Sequence, residues 1–258
     1  MDRPTEPYIG QSHGLGARSR GVPTQVRILE EDPDLGAGLC EEDLAAATRA
    51  LVAPVMEISG SRWEPPAYDP RTSYGLLILD GLLGRRLRVG RAVATELLSS
   101  GDILRPWEEE PLWGLSEPTL EWRVFQPARL AVLGRDVTTL IGRRPQLVVN
   151  FSSRLLRRVR SAAYLMAVSH QTRVEDRLME TLWYLASTWG RVTPRGTRIP
   201  FRITHEVLSE ILGAQRPSVT TAFRSLTEQG LVMREPDGTF VMRQQPIFPV
   251  PVPAIDRL

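Results

Sequence analysis

"LGAQRPSVTTAFRSL", residues 212–226, is the stretch on which the fold of this chain turns. Gly213 supplies the left-handed backbone that joins two helices at a steep angle. Ahead of it, Val207, Leu208, Ile211 and Leu212 fall on one helical stripe, with Thr204 as the cap and Glu206 in the first turn. Behind it, Val219, Ala222, Phe223 and Leu226 form a second stripe, and Pro217 sits in the first turn, where its missing N–H costs no hydrogen bond. The opposite face of that second helix carries Arg216, Ser218, Thr220, Thr221 and Arg224, flanked by Gln215, Pro217 and the cap Thr204. Two short amphipathic helices with this outward set predict a helix-turn-helix, whose second helix enters the major groove with its N-terminal residues at base edges. "GLVMREPDGTFVMR", residues 230–243, follows at once: two β-runs joined by a Pro-Asp-Gly turn, the pattern of a wing. These eight residues from Thr204 to Arg224 are the expected DNA contacts.

Outward from this motif, the 258 residues leave room for one large or two ordinary domains. The 32 basic and 30 acidic residues give a net charge of +2, which says little alone. The distribution says more: arginines crowd the middle and C-terminal parts ("RRPQ", "RLLRRVR", "RPSVTTAFR"), and arginine offers a planar donor fork suited to phosphates and guanine edges. A single cysteine, Cys40, excludes an internal disulfide, an iron–sulfur cluster and a Cys-rich zinc site, so no metal and no cofactor is expected. No apolar run is long enough to span a bilayer, and the first residues lack the apolar core of a signal peptide. A soluble cytoplasmic protein with no membrane partner is the expectation.

Residues 1–40, rich in Gly, Pro, Arg and Ser without periodicity, read as a disordered arm. Residues 41–144 open with a short helix over "EEDLAAATRALV" and continue as strand-like runs between turn signals: "YGLLILDG", "RRLRVG", "VATELLSSGD", "WRVFQPARLAVL". That spacing predicts a small β-sandwich or barrel. "RDVTTLIG" is a short helix, and Pro145 opens a long one over 145–170. There Val148, Phe151, Leu155, Ala162 and Leu165 recur near heptad spacing and are expected to form a dimer seam, with Arg154, Arg157 and Arg158 on its flanks. The alternative is that this helix packs on its own β-domain. A further helix over "TRVEDRLMETLWYLASTWG" stops at Gly190, "RIPFRI" reads as a short strand, and residues 171–245 make the DNA-binding domain, ahead of a Pro-rich tail over 246–258. The fold class is therefore α+β: an N-terminal β-barrel or jelly roll, a long helix, and a C-terminal winged helix-turn-helix.

"IPFRITHEVLSEILGAQRPSVTTAFRSLTEQGLV" resembles the C-terminal domain of the Crp/Fnr regulators, and the order of parts agrees from about residue 41 to 243. The resemblance implies a homodimer that binds a two-fold symmetric operator on double-stranded DNA and acts on RNA polymerase. It also implies that Arg216 matches the guanine-reading arginine. Pro217 falls where many members have a cytosine-reading glutamate, and Thr221 where many have a second arginine, so the usual half-site contacts are not expected. In cyclic-nucleotide-binding members the β-domain carries a Gly-Glu pair and, about ten residues on, an Arg-Ser pair. Here Arg105-Pro106 and Pro118-Thr119 stand at those places. A jelly roll of the cyclic-nucleotide-binding type without its nucleotide site is the expectation. Arg105, Trp107, Trp122 and Arg123 remain as candidates to line an effector pocket, the effector itself being unknown. Trp107, Trp113, Trp122 and Phe125 either line a pocket for an apolar effector or fill the vacated space, and filling is favoured.

Two other classes fit the sequence less well. An enzyme using the β-domain as a catalytic cup lacks a Ser/His/Asp trio, a metal-ligand spacing and a Gly-rich phosphate loop. A sensor or scaffold of the same fold that does not act through DNA is the alternative to a regulator; the retained Arg216 speaks against it.

Overall fold

The computed structural model describes residues 24–107 and 118–243. The N-terminal half is built on two strands of 15 residues each, β4 (Gly75–Val89) and β7 (Thr119–Leu133), paired antiparallel from Gly75↔Leu133 to Arg88↔Thr119. Around them lie β1 (Gln25–Arg27), α1 (Ile28–Glu31), a 3-10 turn (Pro33–Gly36), α2 (Glu41–Ala50), β2 (Val52–Ile58), β3 (Arg62–Trp63), β5 (Ala92–Ser99) and β6 (Ile103–Leu104). The sheet order is β1-β2-β7-β4-β5, with β3 added to β7 and β6 to β4. The β4/β7 ladder breaks register between Ile78 and Leu83, and such bulges bend a strand and increase its twist. Gly81 sits at that bend with φ +96; any side chain there would run into the Pro127 carbonyl and Ala128. The bend lets β2 and β6 flank one half of the ladder and β3 and β5 the other, rolling the sheet around Ile58, Leu76, Ile78, Leu83, Leu98 and Trp122. "YGLLILDG" and "RRLRVG" are thus parts of one strand rather than two.

The C-terminal half is helical. α3 (Arg135–Gly142), α4 (Pro145–Ser169) and α5 (Val174–Trp189) lead to a hairpin of β8 (Arg191–Thr193) and β9 (Gly196–Ile199). Then come α6 (His205–Leu212), α7 (Arg216–Glu228), β10 (Val232–Arg234) and β11 (Phe240–Met242). β11 pairs with both β10 and β9, so the wing belongs to a four-stranded sheet ordered β10-β11-β9-β8. "RIPFRI" is strand only at its first two residues; the chain leaves β9 before Pro200, which has no N–H for a ladder.

The N-terminal arm is ordered from residue 24, contrary to the expected disorder. β1 pairs with β2, and Ile28, Leu29 and Leu35 are buried in a cluster with Phe151, Leu147 and Val137. Asn150 donates to the carbonyls of Leu35 and Ala37 at 3.0 and 2.9 Å, and Arg154 chelates Asp32 at 2.7 and 2.9 Å. Residues 25–36, placed in the arm from sequence, therefore pack as part of the β-domain. The first 23 residues, the "EEEP" loop with Trp113, and the Pro-rich tail lie outside the described residues.

Besides α3 and α4, α6 joins the two halves. The Glu210 carboxylate accepts from Arg86 Nε at 3.0 Å, Arg86 Nη2 at 2.6 Å and Thr95 Oγ1 at 2.5 Å, and the Arg86 and Glu210 side chains are 16% and 10% exposed. Beside this latch, Leu82 and Leu97 of the β-domain join the same apolar cluster as Leu182, Val207, Leu208 and Phe223.

Candidate nucleic-acid interface

Thr204 begins the motif as expected: its hydroxyl accepts from the Val207 N–H at 3.2 Å. Val207, Leu208 and Leu212 are buried, and Gly213 closes α6 in the left-handed conformation at φ 59, ψ 38. Gln215 is the N-cap residue of α7, and Pro217 lies in its first turn. Val219, Ala222, Phe223 and Leu226 turn inward. Arg216, Pro217, Ser218, Thr220, Thr221 and Arg224 are all exposed, as are Thr204 and Gln215. No acidic residue occupies the first turn of α7, which leaves the positive end of its dipole uncompensated.

Two exposed arginines near the motif were not singled out from sequence. Arg234, at the end of β10, is exposed on the wing, and Arg202 is exposed ahead of α6. His205, the first residue of α6, packs its ring on Phe223 with centroids 5.2 Å apart and places Nδ1 3.0 Å from Thr220 Oγ1. Burial, with Arg234 and Arg216 nearby, holds its imidazole below the ordinary histidine range, so the ring is neutral near pH 7. The wing turn is fixed by Asp237, which accepts from the Thr239 N–H and hydroxyl and pairs with Arg198.

Residues 176–244 match a known domain model, the Crp-like helix-turn-helix domain. The match covers the C-terminal segment that holds α6, α7 and the wing. Among curated proteins none matches. Solved structures share the fold of about three quarters of the chain. A CooA variant from Carboxydothermus hydrogenoformans is 15% identical with a TM-score of 0.57, covering 74% of this chain and 84% of that one. FixK2 from Bradyrhizobium japonicum is 15% identical at a TM-score of 0.55, covering 75% and 94%. A CRP/FNR-family transcriptional regulator from Thermus thermophilus is 18% identical at 0.52, covering 74% and 93%. The fold shared with these structures is a β-domain, a long helix and a Crp-like helix-turn-helix domain.

Between β5, α4 and the start of the Crp-like domain lies a cavity of about 740 Å³. Its apolar wall includes Leu87, Leu97, Trp122, Leu155, Leu165 and Met166. Its charges are paired. Arg158 makes two bonds of 3.0 Å to Glu96 and one of 3.0 Å to the Ile103 carbonyl, and Arg157 lies 3.3 Å from Asp102. Burial raises the Asp102 carboxyl above the usual carboxylate range against the pull of the Ser99 N–H and Arg157. Of the four expected effector-pocket residues, Arg105 and Trp122 line the cavity, and Trp107 and Arg123 do not. Arg105 donates to the carbonyls of Ser73, Tyr74 and Pro70, binding a loop to β6. Trp122 is buried edge-on to Trp63, Trp107 packs on Tyr68, and Arg123 pairs with Glu121.

Of the residues expected at a dimer seam, two are turned into the chain's own core. Phe151 is fully buried inside its own chain, edge-on to Tyr74, and Leu155 packs on the same cluster. The exposed apolar side chains of α4 are instead Val149 at 62%, Leu156 at 56%, Val159 at 66% and Met166 at 61%, with Val148 at the margin. Ala162 is exposed beside them and Leu165 is half-buried against the cavity. Arg154, Arg157 and Arg158 face the β-domain, away from that stripe.

Proposed function

We propose that the protein is a sequence-specific DNA-binding transcription regulator that binds a two-fold symmetric operator as a homodimer. The observation that carries this reading is the face of α7, where Arg216, Ser218, Thr220, Thr221 and Arg224 stand exposed on a Crp-like domain with a basic wing residue beside them. Small polar residues let the helix backbone approach base edges, and Arg216 at its first turn supplies the fork that reads guanine.

Dimerisation follows from α4. Val149 and Leu156 are seven residues apart, as are Val159 and Met166, and the two series are offset by three, which is the a/d pattern of a two-stranded helical seam. A two-fold dimer demands inverted half-sites about one helical turn apart. The effector site lacks the residues that hold a cyclic nucleotide: the arginines at the cavity are already engaged with Glu96, Asp102 and backbone carbonyls, so a phosphate entering there meets two carboxylates and no free counter-charge among the described residues. RNA polymerase is the partner through which such a regulator acts.

Selection of bound duplexes from a random pool by the full-length protein, with a mobility shift on its own upstream region, tests the reading. Enrichment of an inverted repeat is the expected result. Binding that does not depend on sequence would overturn it.

A further inference from the structure

Thr220 lies one turn after Arg216 on the exposed face of α7, and its Oγ1 has two polar neighbours: the Arg216 carbonyl oxygen at 3.1 Å and His205 Nδ1 at 3.0 Å. A hydroxyl has one proton and two lone pairs. The carbonyl can only accept, so the bond to Arg216 uses that proton. The contact with His205 must then run the other way, with Nδ1–H donating to Oγ1. The far side of the ring agrees. His205 Nε2 is buried and makes no hydrogen bond among the described residues. Were the proton on Nε2, a buried N–H would be left without an acceptor, a rarer and costlier situation than an idle lone pair. The ring also packs at a tilt on Phe223, with centroids 5.2 Å apart.

With its proton committed to Arg216 and one lone pair to His205, Thr220 has a single lone pair left for the groove. It can accept and cannot donate. In the major groove adenine N6 and cytosine N4 are donors, whereas guanine O6 and N7 and thymine O4 are acceptors. We infer that His205 is a positioning residue that fixes Thr220 as an acceptor, so that the base beneath Thr220 on the contacted strand is an amino base, adenine or cytosine, rather than a keto base. This rests on the DNA-binding reading above and names part of its sequence code.

The test is the same selection from random duplexes, run with the full-length wild type, Thr220→Val, His205→Ala and His205→Asn, each scored as the ratio of amino to keto bases at every half-site position. A ratio within the bound pool does not change when part of a variant preparation is unfolded. One hydrogen bond of ordinary strength corresponds to a preference of roughly tenfold. The wild type should show it at one position of the half-site. Thr220→Val should erase it there and leave the other positions unchanged. His205→Ala frees the hydroxyl to rotate and donate, so keto bases should become acceptable at that position. His205→Asn supplies an amide N–H where Nδ1–H stood and should restore the preference. A wild-type operator with no amino-base preference, or a preference that survives Thr220→Val or His205→Ala, overturns the inference while leaving the regulator reading intact. So does binding that tightens on all sequences as pH falls from 8 to 6 and loses this response in His205→Asn, because His205 would then be a phosphate contact. If the wild type enriches no sequence, the regulator reading fails and the inference with it.

Discussion

Replacing Glu210 by glutamine attacks the joint between the β-domain and the Crp-like domain. The carboxylate accepts three bonds, from Arg86 Nε, Arg86 Nη2 and Thr95 Oγ1, at 3.0, 2.6 and 2.5 Å. Breaking a well-buried ion pair costs about 3–5 kcal/mol, because the remaining charge is left without its partner. Here the cost is smaller for two reasons. Arg86 retains Glu121 at 3.4 Å, and glutamine keeps one carbonyl acceptor. A loss of about 2 kcal/mol follows from the charge-assisted bonds that disappear. For a chain of this size each kcal/mol moves the melting temperature by about 2–4 °C, so Glu210→Gln should melt about 4–8 °C below the wild type. The assay is a double-mutant cycle by thermal or urea unfolding with Arg86→Met as the second arm. If the latch acts as a unit, the double variant loses less than the sum of the singles by at least about 1 kcal/mol. Additive losses would refute the reasoning and mean that both side chains are solvated in solution.

Arg216→Ala should weaken binding to the selected operator by about 1–3 kcal/mol while leaving binding to random duplex nearly unchanged, measured by competition gel shift. Equal losses on both would make Arg216 a phosphate contact. Leu156→Asp or Val159→Glu should give folded monomers in sedimentation, whereas Phe151→Ala should destabilise the chain by about 3–5 kcal/mol as a core truncation; dimers that persist in both seam variants would move the seam elsewhere. Calorimetric titration with cyclic AMP and cyclic GMP should show no micromolar binding, and a micromolar site that disappears in Arg105→Ala or Arg123→Ala would show a rebuilt nucleotide pocket.

The winged motif was legible because each of its signals is local: a capping hydroxyl at Thr204, a left-handed glycine at Gly213, a proline in a first turn, a Pro-Asp-Gly turn. What the sequence obscured is non-local. α4 carries two apolar stripes a fraction of a turn apart, one through Leu147, Phe151 and Leu155 and one through Val149, Leu156, Val159 and Met166. Periodicity finds both but does not say which meets the chain's own β-domain; the one with the large aromatic is the buried one. The arm from Gln25 to Gly36 is ordered by contacts with residues more than a hundred positions away, such as Asn150 and Arg154, and has no period of its own. The β8–β9 hairpin hides in "RVTPRGTRI", whose polar run reads as loop although Pro194-Arg195 makes the turn. His205 carried no sequence signal beyond standing next to a cap.

The apolar cluster beneath the recognition helix has a consequence for how this protein can be cut and recombined. Leu82 and Leu97 come from the β-domain, yet they complete the interior that supports Val207, Leu208 and Phe223. The DNA-reading half therefore does not own all of its core. Transplanted onto another sensor, it would carry a bare apolar surface and an unneutralised Glu210 to a host that has neither the leucines nor the arginine to meet them. A working chimera of this protein has to rebuild, on its new host, the face that Leu82, Leu97 and Arg86 present, so that part of the sensor's surface is inherited along with the reader.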